Sequence, residues 1–152
     1  LVLGRAAREH HGFLDGLKAR VAAAGLSDRI LFPGEIPADE LPRVMRSLSL
    51  VMQLPRYEGY GMAPLEGMAS GVPFVASEAG YYRAFSAQGR AGIVVEQEAA
   101  EAAAEAGRAL LNDAGRHADM SRAAREIAEA SFSARAEADG IEAVYQALWA
   151  EG

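Results

Sequence analysis

The sequence predicts an α/β domain built on a doubly wound parallel sheet with a helical tail, and three observations carry that expectation. Short apolar runs alternate with helix-length amphipathic segments from Leu1 to Val95. The run Leu48 to Leu54 is continuously apolar rather than alternating, which is the pattern of a strand covered on both faces of a parallel sheet. From Glu98 onward the strand signals stop and only helical periodicity remains. Strands alternating with helices at this spacing imply right-handed crossovers.

The elements follow in order. Leu1 to Leu3 read as the end of a strand, and Gly4 opens a loop into a helix of about Gly12 to Ala24. Phe13, Leu14, Leu17, Val21 and Ala24 share one face of that helix, and Gly25 is its stop signal. Arg29 to Phe32 is a short apolar strand ended by the turn signal Pro33-Gly34, after which Asp39 can cap a helix carrying Leu41, Val44, Met45 and Leu48. A loop follows Leu54, then a helix from Pro64 to Ser70 that stops at Gly71, a strand from Val72 to Ala76, and another from Ile93 to Val95. An Ala-rich helix then runs to about Leu111, a second spans Arg116 to Ala130, and Ser133 can cap a third. Ile141, Val144, Tyr145 and Leu148 form an apolar stripe on that third helix, so the tail is expected to pack against the sheet.

Composition removes several function classes. With 152 residues, about half of them apolar, the chain is the size of one domain with its own core. Cysteine is absent, which excludes disulfides, thiolate metal sites and thiol nucleophiles, and the three histidines, His10, His11 and His117, lack metal-site spacing. A formal charge of −6 speaks against a broad basic surface for nucleic acid. No run approaches the roughly 20 apolar residues that span a bilayer, and the start has no basic region or cleavage site, so a cytoplasmic domain is expected. The opening on a strand tail without Met reads as a piece of something longer.

The chemistry-bearing stretch is residues 55 to 66. In open parallel sheets, ligands sit beyond the carboxyl ends of the strands, where loops lead into helix N-termini. Gly59 and Gly61 flank Tyr60, so backbone N–H groups can approach an anion closely, and the helix start adds partial positive charge. A phosphate or diphosphate fits there. Pro64 suits the first helical position, which places Glu66 in the first turn and leaves Glu58 in the loop before the glycines. Carboxylates accept hydrogen bonds from paired hydroxyls, so one Glu for a ribose and one for a sugar is chemically sensible. The same residues also suit a sharp turn into a helix whose dipole favours an early Glu. Residue types alone leave both readings open.

Glu58 and Glu66 are separated by seven residues, with Gly-Tyr-Gly after the first, and Met68-Ala69-Ser70-Gly71-Val72-Pro73-Phe74-Val75-Ala76-Ser77 follows. This stretch resembles the E-x7-E signature of group 1 (family 4) retaining glycosyltransferases of the GT-B fold. Gly25 to Ile36 is similar to the family's L-x-D-R-V-x-F-x-G-x-V segment, and Phe132-Ser133 to its late F-S. The resemblance implies a Rossmann-like, C-terminal, donor-binding half of a two-domain enzyme, with an acceptor-binding N-terminal domain absent from this chain. It implies that Glu58 contacts the donor sugar and is the catalytic candidate. The backbone of Gly59, Tyr60, Gly61, Met62 and Ala63 would meet sugar hydroxyls and diphosphate, Glu66 the ribose, and the turn of Gly34, Glu35 and Ile36 the nucleobase. It further implies retention of anomeric configuration through front-face attack. Among such enzymes, the lipopolysaccharide core mannosyltransferases are the expected kin. These make GDP-mannose the donor and a membrane-embedded glycolipid the acceptor, with the full enzyme peripheral to the inner face of the membrane.

No Asp-x-Asp motif occurs, so no metal and no cofactor are expected, and the helix start with basic residues would stabilise the leaving diphosphate. The family's basic pair lies upstream of the segment that matches Leu1 to Leu3. Two departures stand out: Ala79-Gly80-Tyr81-Tyr82-Arg83-Ala84 lacks the Glu of the usual Gly-Gly-x-x-Glu element, and Gly67 replaces Ala. Tyr81 and Tyr82 receive no role. The rival readings are a GT-B sugar-nucleotide epimerase and a non-catalytic nucleotide-binding or receiver module. A receiver would need acidic residues where Gly4-Arg5 and Pro55-Arg56 stand.

Overall fold

A computed structural model describes residues 1–4 and 11–150. They fall into two compact units, Leu1–Leu41 and Pro42–Gly152. His10 and Arg5 lie outside the described residues.

In the first unit, helix α1 (His11–Ala23) ends as expected. Gly25 adopts φ 67°, its N–H donates to the carbonyl of Ala22, and the Leu26 N–H reaches back to Val21 at 3.0 Å, a left-handed C-terminal cap. Leu14, Leu17 and Val21 are half-buried, whereas Phe13, expected on the same face, is 71% exposed. The segment read as a strand over Arg29 to Phe32 is not a strand; an isolated parallel bridge, Leu3 to Gly34, lies just beyond it, flanked by Val2 N–H to Leu31 O at 2.8 Å and Gly4 N–H to Gly34 O at 2.9 Å. So short a pairing gives Leu31 no cover, and it is exposed.

The second unit begins within α2 (Leu41–Arg46), which leads to a three-stranded parallel sheet of β1 (Val51–Gln53), β2 (Phe74–Ser77) and β3 (Gly92–Val95) in the order β1-β2-β3. Val51 pairs with Phe74 and Phe74 with Gly92. Helix α3 (Met62–Ala69) joins β1 to β2, and α4 (Tyr82–Ser86) joins β2 to β3. After β3 come α5 (Ala100–Asn112), α6 (Ala114–Ser131) and α7 (Ala134–Ala150).

The α/β reading holds, and helices lie on both faces of the sheet. Successive strand residues point to opposite faces. A Cβ on Gly67 of α3 would sit 2.7 Å from Val51 Cγ2, and one on Gly107 of α5 would sit 3.1 Å from Met52 Cε, so the two helices cover opposite sides of β1. The core centres on β2, whose four residues are all buried, with Met68, Tyr82, Phe85 and Leu110 around it. The fully covered strand is therefore β2 rather than the Leu48 to Leu54 run. In that run Met52 stays 47% exposed, because β1 lies at an edge of this sheet and the helix residue facing Met52 is a glycine.

Two further expectations change. The tail does not bury the stripe of α7: Ile141, Val144, Tyr145 and Leu148 are all exposed, no residue of α7 is buried, and its packing partner is α6. The cap of that helix is as expected, with the Ala136 N–H donating to Ser133 Oγ at 3.2 Å. Beside it, Phe132 meets Phe85 edge-on at 4.8 Å between ring centres, which fastens the end of α6 to α4. His117 Nε2 lies 2.7 Å from the carbonyl oxygen of Ser49. Among the described residues, no helix is long and apolar enough to cross a membrane.

Candidate functional site

The loop Leu54 to Gly61 leaves the carboxyl end of β1 and enters α3, the position at which parallel sheets place their ligands. Gly61 is the N-cap of α3, with φ 105° and ψ 56°, a left-handed conformation that costs an L side chain energy. A Cβ there would also come within 2.2 Å of Tyr82 Cε1, so the position excludes side chains twice over. No side chain caps α3. Among the described residues, none of the N–H groups of Gly59, Tyr60, Gly61, Met62 and Ala63 donates a backbone hydrogen bond. Unpaired N–H groups at a helix start, reinforced by the helix dipole, form an anion site.

The helix begins earlier than the sequence pattern implied. Met62 is its first residue, so Pro64 is the third and Glu66 lies beyond the first turn. Proline is tolerated there because no N–H of the first turn has an acceptor within the helix. Glu66 lies one turn beyond Met62, on the same face of the helix. Glu66 is half-buried, and the resulting desolvation pushes its carboxyl above the usual value of 4.5.

Glu58 is half-buried and held from two sides. Gln53 Nε2 at the end of β1 donates to Glu58 Oε2 at 3.1 Å, and the hydroxyl of Tyr82 donates to the same oxygen at 3.3 Å. Tyr82 is fully buried. Burial first, then the charge of Glu58 and the bond to it, push the Tyr82 phenol well above its ordinary value, so it stays a donor. This pair is not legible from residue types: α4 is too short to show periodicity, and nothing in two adjacent tyrosines tells which one faces inward. Tyr81 is exposed, and its ring meets that of Tyr60 at 5.3 Å. Arg83, at the position of the missing Glu, forms an exposed ion pair with Glu78 and holds that carboxyl below its usual range.

Arg56, beside the loop, pairs with Glu98 at 2.7 Å. Both border a cavity of about 340 Å³ over the carboxyl ends of the strands, which Leu54, Ser77 and Glu96 also line. Neither Glu58 nor Glu66 lines it, so this cavity and the start of α3 are separate features of the carboxyl side of the sheet. Gly34, Glu35 and Ile36 belong to the first unit; Gly34 carries the bridge to Leu3, and Glu35 is exposed. Among the described residues, no group of three or more His, Cys, Asp or Glu side chains is gathered to hold a metal ion.

Residues 10–127 match the family described as glycosyl transferases group 1. The lipopolysaccharide core biosynthesis mannosyltransferase LpcC of Rhizobium leguminosarum bv. viciae is 41% identical over 148 residues, 97% of this chain and 42% of that protein. The chain thus spans less than half the length of this curated relative. Among solved structures, Anabaena Alr3699/HepE in complex with UDP superposes with a TM-score of 0.86 at 23% identity, covering 95% of this chain and 40% of that one. The C-terminal domain of a group 1 glycosyl transferase, LpcC, from Francisella tularensis superposes with a TM-score of 0.78 at 25% identity, covering 85% of this chain and 67% of that one.

Proposed function

The chain belongs to the group 1 glycosyl transferases, and we propose on that premise that it supplies the donor-binding part of a transferase acting on a nucleoside diphosphate sugar. The observation that carries this reading is the start of α3, where the N–H groups of residues 59 to 63, in the stretch of chain between Glu58 and Glu66, donate no backbone hydrogen bond. In this reading the diphosphate rests on the N–H groups from Gly59 to Ala63, Glu66 accepts from the ribose hydroxyls, and Glu58 accepts from the donor sugar through Oε1.

The chemistry asked of the site is stabilisation of the negative charge that grows on the leaving diphosphate. N–H dipoles fixed before the reaction supply this without reorganising, which makes a metal-independent transfer reasonable. In this reading the attack is front-face, with retention, and Glu58 orients the sugar rather than bonding to it. The donor we assign is GDP-mannose and the acceptor a glycolipid of lipopolysaccharide core assembly, supported by the mannosyltransferase relative. The acceptor is bound outside this chain, in the intact enzyme at the membrane's inner face.

Calorimetric titration with GDP-mannose, GDP, UDP-glucose and UDP tests the reading. One nucleotide pair is expected to bind, and Glu66→Ala to weaken it roughly 10-fold to 100-fold, the worth of hydrogen bonds to a charged acceptor. Absence of binding by all four would overturn the donor reading; unchanged affinity in Glu66→Ala would overturn the ribose role alone.

A further inference from the structure

Glu58 is clamped by residues that the donor reading leaves without a task. Gln53 Nε2 and the Tyr82 hydroxyl converge on one oxygen, Oε2, at 3.1 and 3.3 Å. Among the described residues, no hydrogen bond is directed to Oε1. The loop itself is seated on the turn between β2 and α4. A Cβ on Gly80 would lie 3.1 Å from Glu58 Cγ and 3.2 Å from the carbonyl oxygen of Tyr60, and the Tyr81 N–H donates to that same carbonyl at 3.3 Å. Gln53 and Tyr82 come from different elements, and the Tyr82 ring is fixed by burial and by Phe74 and Phe85 at ring-centre distances of 6.3 and 6.4 Å.

A carboxylate with one oxygen doubly occupied and its stem pressed on a glycine cannot rotate freely, so the remaining oxygen is aimed. From this geometry we infer that Tyr82 and Gln53 are positioning residues that present Glu58 Oε1 to the donor sugar, and that they set the site's preference for a sugar nucleotide over its free nucleoside diphosphate. The inference rests on the donor-site reading. It differs from a plain packing role in what it predicts, because loosened packing would weaken both ligands alike. A positioning role acts only on the ligand that carries the sugar.

The test compares Tyr82→Phe, which keeps the ring, and Gln53→Leu, which changes a different element, with the wild-type chain. Calorimetry gives the affinity for whichever of GDP-mannose and UDP-glucose binds, and for the matching diphosphate. Each variant is expected to lose roughly 3-fold to 10-fold in sugar-nucleotide affinity with the diphosphate unchanged. In a Glu58→Ala background, adding Tyr82→Phe is expected to change neither ligand. Equal losses for both ligands, no loss for either variant, or an undiminished loss in the Glu58→Ala background each overturn the positioning role while the donor reading stands. Failure of the wild-type chain to bind any of the four nucleotides overturns the donor reading, and the inference with it.

Discussion

Glu66 is asked to do two opposed things. Its half-buried carboxyl is pushed above 4.5 by desolvation, yet a hydroxyl-accepting role needs it ionised. The folded state therefore favours the neutral form, a contribution present below the ordinary carboxylate value and lost as pH rises through the raised one. Glu66→Gln is accordingly expected to raise the melting temperature slightly at neutral pH and not at acid pH, measured by calorimetry across that range. The gain is small because solvent screens a half-exposed charge. Nucleotide affinity should move the other way, falling in the wild-type chain as pH drops through the raised value and converging on that of Glu66→Gln. Stability sacrificed for a charged acceptor is a familiar cost at binding sites.

Gly67 poses a similar contest between local preference and packing, decided at the level of α3 against β1. Alanine in a helix interior is favoured over glycine by about 1 kcal/mol. Here its methyl would stand 2.7 Å from Cγ2 of Val51, whose branched side chain has little rotamer freedom to retreat. Overpacking of this kind costs about 1 to 3 kcal/mol, so Gly67→Ala is expected to destabilise by up to about 2 kcal/mol in chemical denaturation. In a Val51→Ala background the same change should cost nothing or stabilise. The stretch around this helix was the most legible part of the sequence: its end at Gly71, the strand after it and the glycine-bearing loop before it all follow from turn and periodicity signals. What periodicity could not reveal was where a face is covered. Phe13 and the α7 stripe have correct helical spacing and remain exposed, because burial depends on what lies opposite. The same limit hid Tyr82, whose role comes from a loop that is remote in sequence and adjacent in space. Phe132, by contrast, is legible as part of a motif. Phe132→Ala removes the edge-on contact with Phe85, and a loss of about 2 kcal/mol is expected in the same denaturation series.

At the scale of the molecule, the α/β class, the order of its elements and membership of the group 1 glycosyl transferases stand together. We assign the donor site to the first of two features of different chemistry on the carboxyl side of the sheet. One is the N-terminus of α3 with Glu58 and Glu66; the other is the 340 Å³ cavity bordered by the Arg56 and Glu98 pair. The choice rests on the unpaired N–H groups, since Arg56 is already engaged by a carboxylate. Backbone amide chemical shifts recorded by NMR while GDP, and in parallel UDP, is titrated into the chain test it most directly. The largest shifts are expected on the amides of Gly59, Tyr60, Gly61, Met62 and Ala63. Shifts confined to Arg56, Ser77 and the Glu96 to Ala100 segment, with the α3 amides unmoved, would contradict it.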